Sequence, residues 1–263
     1  MRPWALILGA SSGFGKATCL EFSKHNTNII GVHLDRKHTL KEVEELVSLI
    51  KSNGVMAKFY NINAADGESM NKTLDEIKTF FDEEQKGDYV KVLLHSLAFG
   101  TLKKFISEEE NEMISKNQMD MTLDVMANTL VYWVQACFKR KLFRENSKIF
   151  AMTSSGDLRV MPYYGAVSAA KATLESHIRQ LALELAPYGV TANSIKAGVT
   201  DTPALRKIPG HEDIIETALK HNPHGRLTTP EDVGKAIVAL SHEDLYWVTG
   251  NVINVDGGED ITG

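Results

Sequence analysis

Three side chains in the middle of the chain have types and spacing suited to acid–base chemistry on an oxygen: Ser154, Tyr164 ten residues on, and Lys171 seven further. Tyr164 and Lys171 stand at i and i+7, two turns apart on one face if the segment is helical. A free phenol titrates near ~10 and is a poor acid at neutral pH. A neighbouring ammonium would favour its ionised form. Such a tyrosine can donate to, or stabilise, an oxygen that gains negative charge during a reaction. Ser154 is spaced to hold the same oxygen. Without a ligand, the same pattern would be a helix carrying a packed tyrosine and an exposed lysine.

A second constellation lies near the start. The apolar run Trp4–Leu8 leads into Gly9-Ala10-Ser11-Ser12-Gly13-Phe14-Gly15, a Gly-x3-Gly-x-Gly loop between an expected strand and an expected helix. Glycines there allow a tight turn and bring a helix N-terminus against a pyrophosphate, while Ser11 and Ser12 add hydroxyl donors. In that context the loop predicts dinucleotide binding. Specificity should be read just past the second strand, at His33-Leu34-Asp35-Arg36-Lys37. An acidic side chain there accepts from a ribose 2′-hydroxyl, and basic ones attract a 2′-phosphate. His33 stands where the selecting acid would, and Arg36 and Lys37 follow Asp35, so NADP(H) is expected over NAD(H). Asn63, after the third strand, could place an amide beside adenine. Ser96-Leu97-Ala98 after the fourth are small enough to let backbone pass close to a cofactor. His95 reads as a packed histidine and not a catalyst.

These residues need a scaffold, and the hydrophobic pattern supplies one. Trp4–Leu8, Asn28–Val32, Val55–Tyr60, Val90–Leu94, Lys148–Met152, Val190–Ile195 and Asn251–Val255 are short apolar runs without polar alternation, as expected of parallel strands covered on both faces. Segments of helical period lie between them, at roughly 14–25, 39–53, 67–86, 107–143, 163–186 and 230–241. Gly54 and Pro187 read as stop signals. The alternation predicts an α/β fold: a doubly wound, Rossmann-type parallel sheet of about seven strands in one domain over 1–263. The segment 203–224, with Pro203, Pro209 and Pro223 around an amphipathic stretch, reads either as a lid or as an ordinary connection. Met113, Met119, Met121 and Met126 read as core filler.

Composition narrows the classes of function. A net charge of −5 leaves no broad basic face for nucleic acid, and no apolar run reaches the ~20 residues that span a bilayer. Cys19 and Cys137 cannot make a disulfide framework and fit a reducing, cytoplasmic setting. The nine histidines show no metal-ligand spacing, so no metal is expected.

Taken with Val190-Thr191-Ala192-Asn193-Ser194-Ile195, Gly225–Val233 and Thr249–Gly258, these motifs resemble the short-chain dehydrogenase/reductase family over nearly the whole chain. The resemblance implies a nicotinamide cofactor and a homotetramer. It also implies that Ala197 and Gly198 border the cofactor, that Thr200 and Thr202 approach its carboxamide and phosphates, and that Lys171 holds the nicotinamide ribose. Three departures resemble the divergent enoyl-acyl-carrier-protein reductase branch. Val167 stands where the family's tyrosine usually sits and the tyrosine lies one turn earlier. His95-Ser96-Leu97-Ala98 replaces Asn-Asn-Ala-Gly, and Ala197-Gly198 replaces Pro-Gly. The family's helix-borne asparagine is replaced near Met126. Ser154, where many enoyl reductases carry a second tyrosine, is similar to some NADPH-dependent members. The implied activity is reduction of a 2-enoyl thioester, with acyl carrier protein or coenzyme A as its carrier. The alternatives are a carbonyl reductase, such as one acting on 3-oxoacyl thioesters, and a non-catalytic cofactor-binding regulator.

Overall fold

The computed structural model describes residues 2–262. Residues 1 and 263, the outermost positions of the expected domain, lie outside it. Among the described residues the strands are β1 (Pro3–Leu8), β2 (Asn28–His33), β3 (Ala57–Asn61), β4 (Tyr89–His95), β5 (Lys148–Thr153), β6 (Thr191–Ala197) and β7 (Val252–Val255). All pair in parallel, in the order β3-β2-β1-β4-β5-β6-β7. Each expected strand is present. β1, β2 and β5 are buried almost throughout, consistent with their mostly apolar residues and lack of polar alternation. The edge strands β3 and β7 are only half covered, against the expectation of two covered faces.

Helices cover both sheet faces: α1 (Gly13–Lys24), α2 (Leu40–Ser52), α3 (Gly67–Glu83), α4 (Lys116–Leu123), α5 (Thr129–Lys139), α6 (Gly165–Leu185), α7 (His211–His221) and α8 (Pro230–Leu240). α3, α5 and α6 bury their apolar stripes with Trp4, Leu6 and Leu93, and α1, α2 and α8 do so with Ala5, Ile7 and Val92. The indoles of Trp4 and Trp133 are fully buried, and each donates a hydrogen bond: Trp4 Nε1 to Asp88 at 2.8 Å and Trp133 Nε1 to the Ala64 carbonyl at 2.9 Å. That satisfies the one polar atom of each ring.

The single long helix expected over 107–143 is corrected. Residues 107–115 are irregular apart from one turn, and a Ser115–Gln118 capping box starts α4 at Lys116. The helix then widens into a π segment, Asp124–Asn128, where the Thr129 hydroxyl donates to the Asp124 carbonyl at 2.6 Å. The strand order reverses between β1 and β4, so the loops leaving their carboxyl ends diverge and open a cleft there. No helix among the described residues is long and apolar enough to cross a membrane.

Candidate active site

The glycine loop turns between β1 and α1 as its sequence demands. Gly9 has φ +88°, and a β-carbon on it would lie 2.4 Å from the Ser96 carbonyl oxygen. A β-carbon on Gly15 would lie 2.0 Å from the Gly9 carbonyl oxygen. The loop therefore stacks backbone on backbone and leaves its outer edge to a cleft. Gly15→Ala should force the helix off the strand and lower stability by about 2 kcal/mol, the scale of overpacking, which a thermal melt would detect as a lower Tm. The Ser12 side chain makes no cap to α1.

Gly9, Ser11, Ser12, Gly13 and Phe14 line this cleft with His33, Arg36, Asn63, Ser96, Leu97, Ala98 and Thr202. Gly15 lies beneath it. The Asn63 side chain accepts from Ala65 N at 3.0 Å, holding the turn that leads into α3. The acidic group in the cleft is Asp35. Its backbone is locked to Asn61, N–H to Oδ1 at 2.9 Å and carbonyl from Nδ2 at 3.0 Å. The His33 imidazole, buried, lies with Nδ1 2.9 Å from Asp35 Oδ2. Burial works to raise the Asp35 pKa, but hydrogen bonds from Ser11, Thr39 and His33 outweigh it and hold the carboxyl below its usual range. His33 thus orients the acid and does not replace it, and Arg36 lies exposed at the rim.

The cleft runs into a second cavity of about 220 Å³ that shares Phe14, Ser96, Leu97, Ala98 and Thr202 with it. Here the structure brings Ser154, Tyr164 and Lys171 together with Ala197, Gly198 and Thr200. Ser154 follows β5, Tyr164 caps the N-terminus of α6, and Lys171 lies two turns along it. Ser154 Oγ and Tyr164 Oη lie 3.4 Å apart. A β-carbon on Gly156 would meet the Tyr164 ring at 2.5 Å, so a glycine is needed for the ring to lie over the turn Ser155–Asp157. Tyr163, just before it, has φ +64°, a left-handed conformation that costs a side-chain-bearing residue roughly 1–2 kcal/mol and turns the chain into the helix.

Burial raises the Tyr164 pKa above that of a free phenol, the contact with Ser154 opposes this, and the charge of Asp157 adds to it. The hydroxyl therefore stays protonated in the protein alone. Lys171 is buried and donates from Nζ to the Met152 carbonyl at 2.7 Å. Burial lowers its pKa to about 8, with Glu175 one turn on working the other way. His95 is fully buried; burial first, and the charge of Lys171 second, bring its pKa down to about 3, so it is a neutral packed ring.

Leu102, Met126, Met161, Val167, Leu205, Ile208 and Ile214 form the apolar wall of this cavity. The family model that matches residues 9–259 is described as enoyl-(acyl carrier protein) reductase. The chain belongs to this family. It is an oxidoreductase of the short-chain dehydrogenase/reductase type. An enoyl-acyl-carrier-protein reductase (NADH) of Aquifex aeolicus is 29% identical over 195 residues, covering 74% of this chain and 70% of that protein. A 3-oxoacyl-acyl-carrier-protein reductase of Thermotoga maritima is 27% identical over 258 residues, covering 96% of each. The crystal structure of the Aquifex reductase superposes with a TM-score of 0.83 at 26% identity, over 99% of this chain and 97% of that one.

Met126 is buried in the core with Tyr164, Val167 and Ala170, as expected of filler, and also lines the reaction cavity, while Met121 edges the dinucleotide cleft. Segment 203–224 folds as a turn, Leu205–Lys207, followed by α7, and supplies Leu205, Ile208 and Ile214 to the cavity wall. The Thr202 hydroxyl accepts from Leu205 N at 3.2 Å, and Thr200 donates to the Gly198 carbonyl at 2.9 Å, so both threonines shape this turn. Among the described residues no cluster of three or more His, Cys, Asp or Glu could hold a metal ion. The buried charges beneath the site, on Asp157, Glu175 and Lys196, had no motif to mark them. The available signal was Glu175, a charge four residues after Lys171 on the inward face of α6.

Proposed function

We propose that this protein reduces the 2,3-double bond of an enoyl thioester, using hydride from a reduced nicotinamide dinucleotide bound in the cleft between β1 and β4. The observation that carries the reading is the buried Tyr164 hydroxyl, kept protonated 3.4 Å from Ser154 inside a largely apolar cavity that opens from the dinucleotide cleft. The glycine turn, the serines beside it and Asp35 fit a dinucleotide, since Gly9, Ser11, Ser12, Gly13 and Asp35 together edge the cleft. When bound, the cofactor supplies a hydride to C3 of the substrate. Tyr164 donates to the thioester oxygen as it gains enolate charge, and Ser154 holds the tyrosine hydroxyl. Lys171 keeps an ammonium beside the reacting centre and is placed to grip the cofactor ribose. The saturated thioester forms when C2 takes a proton.

A second reading, reduction of a 3-oxoacyl thioester, draws on the Ser154–Tyr164 contact and on the Thermotoga relative. Incubating the protein with crotonyl and acetoacetyl thioesters and each reduced dinucleotide separates the two. Cofactor oxidation with crotonyl thioester is expected; oxidation with acetoacetyl thioester alone would sink the proposal. The names of the relatives support an acyl-carrier-protein thioester as the substrate.

The cofactor reading shifts to NADH. Asp35, ionised and fixed by Asn61 and His33, is suited to accept from the adenosine ribose 2′-hydroxyl and to repel a 2′-phosphate. Three enoyl reductase relatives are named as NADH enzymes. Asp35→Asn should narrow the preference for NADH over NADPH, measured as the ratio of kcat/KM values, by about tenfold or more, the size of one charge-assisted contact.

A further inference from the structure

The three residues at the reaction centre sit on two pieces of chain: Ser154 and Tyr164 at the two ends of the loop between β5 and α6, and Lys171 on α6. What ties the loop down is a buried group of charges below the cavity. Lys196, on β6 and opposite Thr153 in the sheet register, reaches Asp157 at 3.1 Å (Oδ1) and 3.3 Å (Oδ2). The two side chains are 7% and 3% exposed. Glu175 on α6 accepts from the Thr153 hydroxyl at 2.7 Å, with Oε1 4.0 Å from Lys196 Nζ. Burial raises the Glu175 pKa and Asp157 adds to the rise, while Thr153 and Lys196 work against it. At 3.1 Å against 4.0 Å, Asp157 is the carboxylate closer to Lys196. It lies in the turn directly after Ser154, and its N–H donates to the Ser154 carbonyl at 3.2 Å. Beyond it, Leu158 and Arg159 bond back to the Ser155 carbonyl, and the loop is next anchored where Met161 and Tyr164 pack in the core. Leu158 and Val160 are exposed, and Arg159 is held by an ion pair to Asp260 at 3.0 Å near the surface.

We propose that the buried Asp157–Lys196 pair is a positioning clamp: it fixes the loop 154–163 against the end of β6 and so sets the distance between Ser154 and Tyr164. The proposal rests on the reading of Tyr164 as the donor to the substrate oxygen. Asp157 and Lys196 line neither the reaction cavity nor the dinucleotide cleft. A pair at this depth is weak evidence for net stability, because two ions lose their water. Its effect is on geometry, where a displacement of about 1 Å can reduce turnover roughly a hundredfold.

The test uses the full-length protein with Asp157→Asn, Lys196→Met and Lys196→Arg. Asp157→Asn keeps the shape, and Glu175 is near enough to Lys196 to take over as counter-ion, so the buried charge stays balanced. Two readouts are taken on folded protein. The first is kcat and KM with whichever thioester the wild type reduces. The second is the rate of tryptic cleavage after Arg159, which does not depend on any reaction. Asp157→Asn and Lys196→Met should lower kcat about 10- to 100-fold with KM changed less than about threefold, and should speed cleavage at Arg159 at least about tenfold. Lys196→Arg, whose guanidinium can still grip the carboxylate, should bring both readouts back to within about threefold of wild type. Wild-type protection at Arg159 in both Asp157→Asn and Lys196→Met, or wild-type kcat in either, overturns the clamp. Failure of both to fold also overturns it, in favour of a purely structural role. A wild type that reduces no thioester would instead remove the functional reading, and the tryptic measurement would still decide the clamp.

Discussion

Tyr164→Phe should lower kcat by about 10²- to 10³-fold while leaving the dissociation constant for reduced dinucleotide within about twofold. The substitution removes one hydroxyl and keeps the ring, which packs over Gly156 in a buried site. The lost contact with Ser154, at 3.4 Å, is long, so the stability change should stay under about 1 kcal/mol. On the proposed reaction, what disappears is the donor to the oxygen that gains charge only as hydride arrives. That interaction is stronger in the transition state than in the bound substrate, so its loss falls on kcat and not on binding. The raised pKa of the phenol matters here, since a neutral hydroxyl can donate where a phenolate could not. Stopped-flow turnover and fluorescence titration of the dinucleotide, on the same preparation, check both halves.

Lys171→Met should reduce kcat/KM for the dinucleotide by about 10²-fold or more and, at the same time, make the fold more stable. The ammonium is buried and donates to the Met152 carbonyl. Its pKa falls from 10.5 to about 8, which corresponds to about 3 kcal/mol of destabilisation at neutral pH. Methionine fills similar volume without charge and gives up one hydrogen bond worth about 1 kcal/mol. The net gain of about 2 kcal/mol should raise Tm by about 5 °C. In the wild type, the folded protein releases this proton at about pH 8 while the unfolded chain holds it to about 10.5. Between those values the unfolded state binds more protons, so the contribution of Lys171 to stability rises with pH across that window and is level below it. The variant should lack that rise. The same titration should make wild-type kcat/KM for the dinucleotide decline as pH climbs through about 8, because the ammonium that grips the ribose is lost. A variant with unchanged kcat/KM would remove Lys171 from the cofactor site.

Most of the framework could be read from the residues. Each strand betrayed itself by an apolar run, because five of the seven described strands are enclosed by neighbours on both sides. The glycine turn was legible because only glycine fits where Gly9 and Gly15 meet at backbone distance. Ser154, Tyr164 and Lys171 meet because the sheet end and one helix face bring their spacing into register. Other features depend on contacts distant in sequence. Asp35 gains its place from Asn61, on a neighbouring strand 26 residues away. The break in the 107–143 helix had a local sign, the Ser115–Gln118 box, but the π segment after it depends on how Thr129 back-bonds to Asp124. The Asp157–Lys196 pair joins residues 39 apart and has no periodicity at all.

The most direct measurement follows a labelled hydride. Reduction of crotonyl thioester with (4-²H)-NADH, with the product read by NMR, should place deuterium at C3 of a butyryl thioester, and Tyr164→Phe should slow that incorporation about 10²- to 10³-fold. Crotonyl thioester recovered without deuterium, while acetoacetyl thioester under the same conditions gives a 3-hydroxy product labelled at its carbinol carbon, would contradict the proposed reaction.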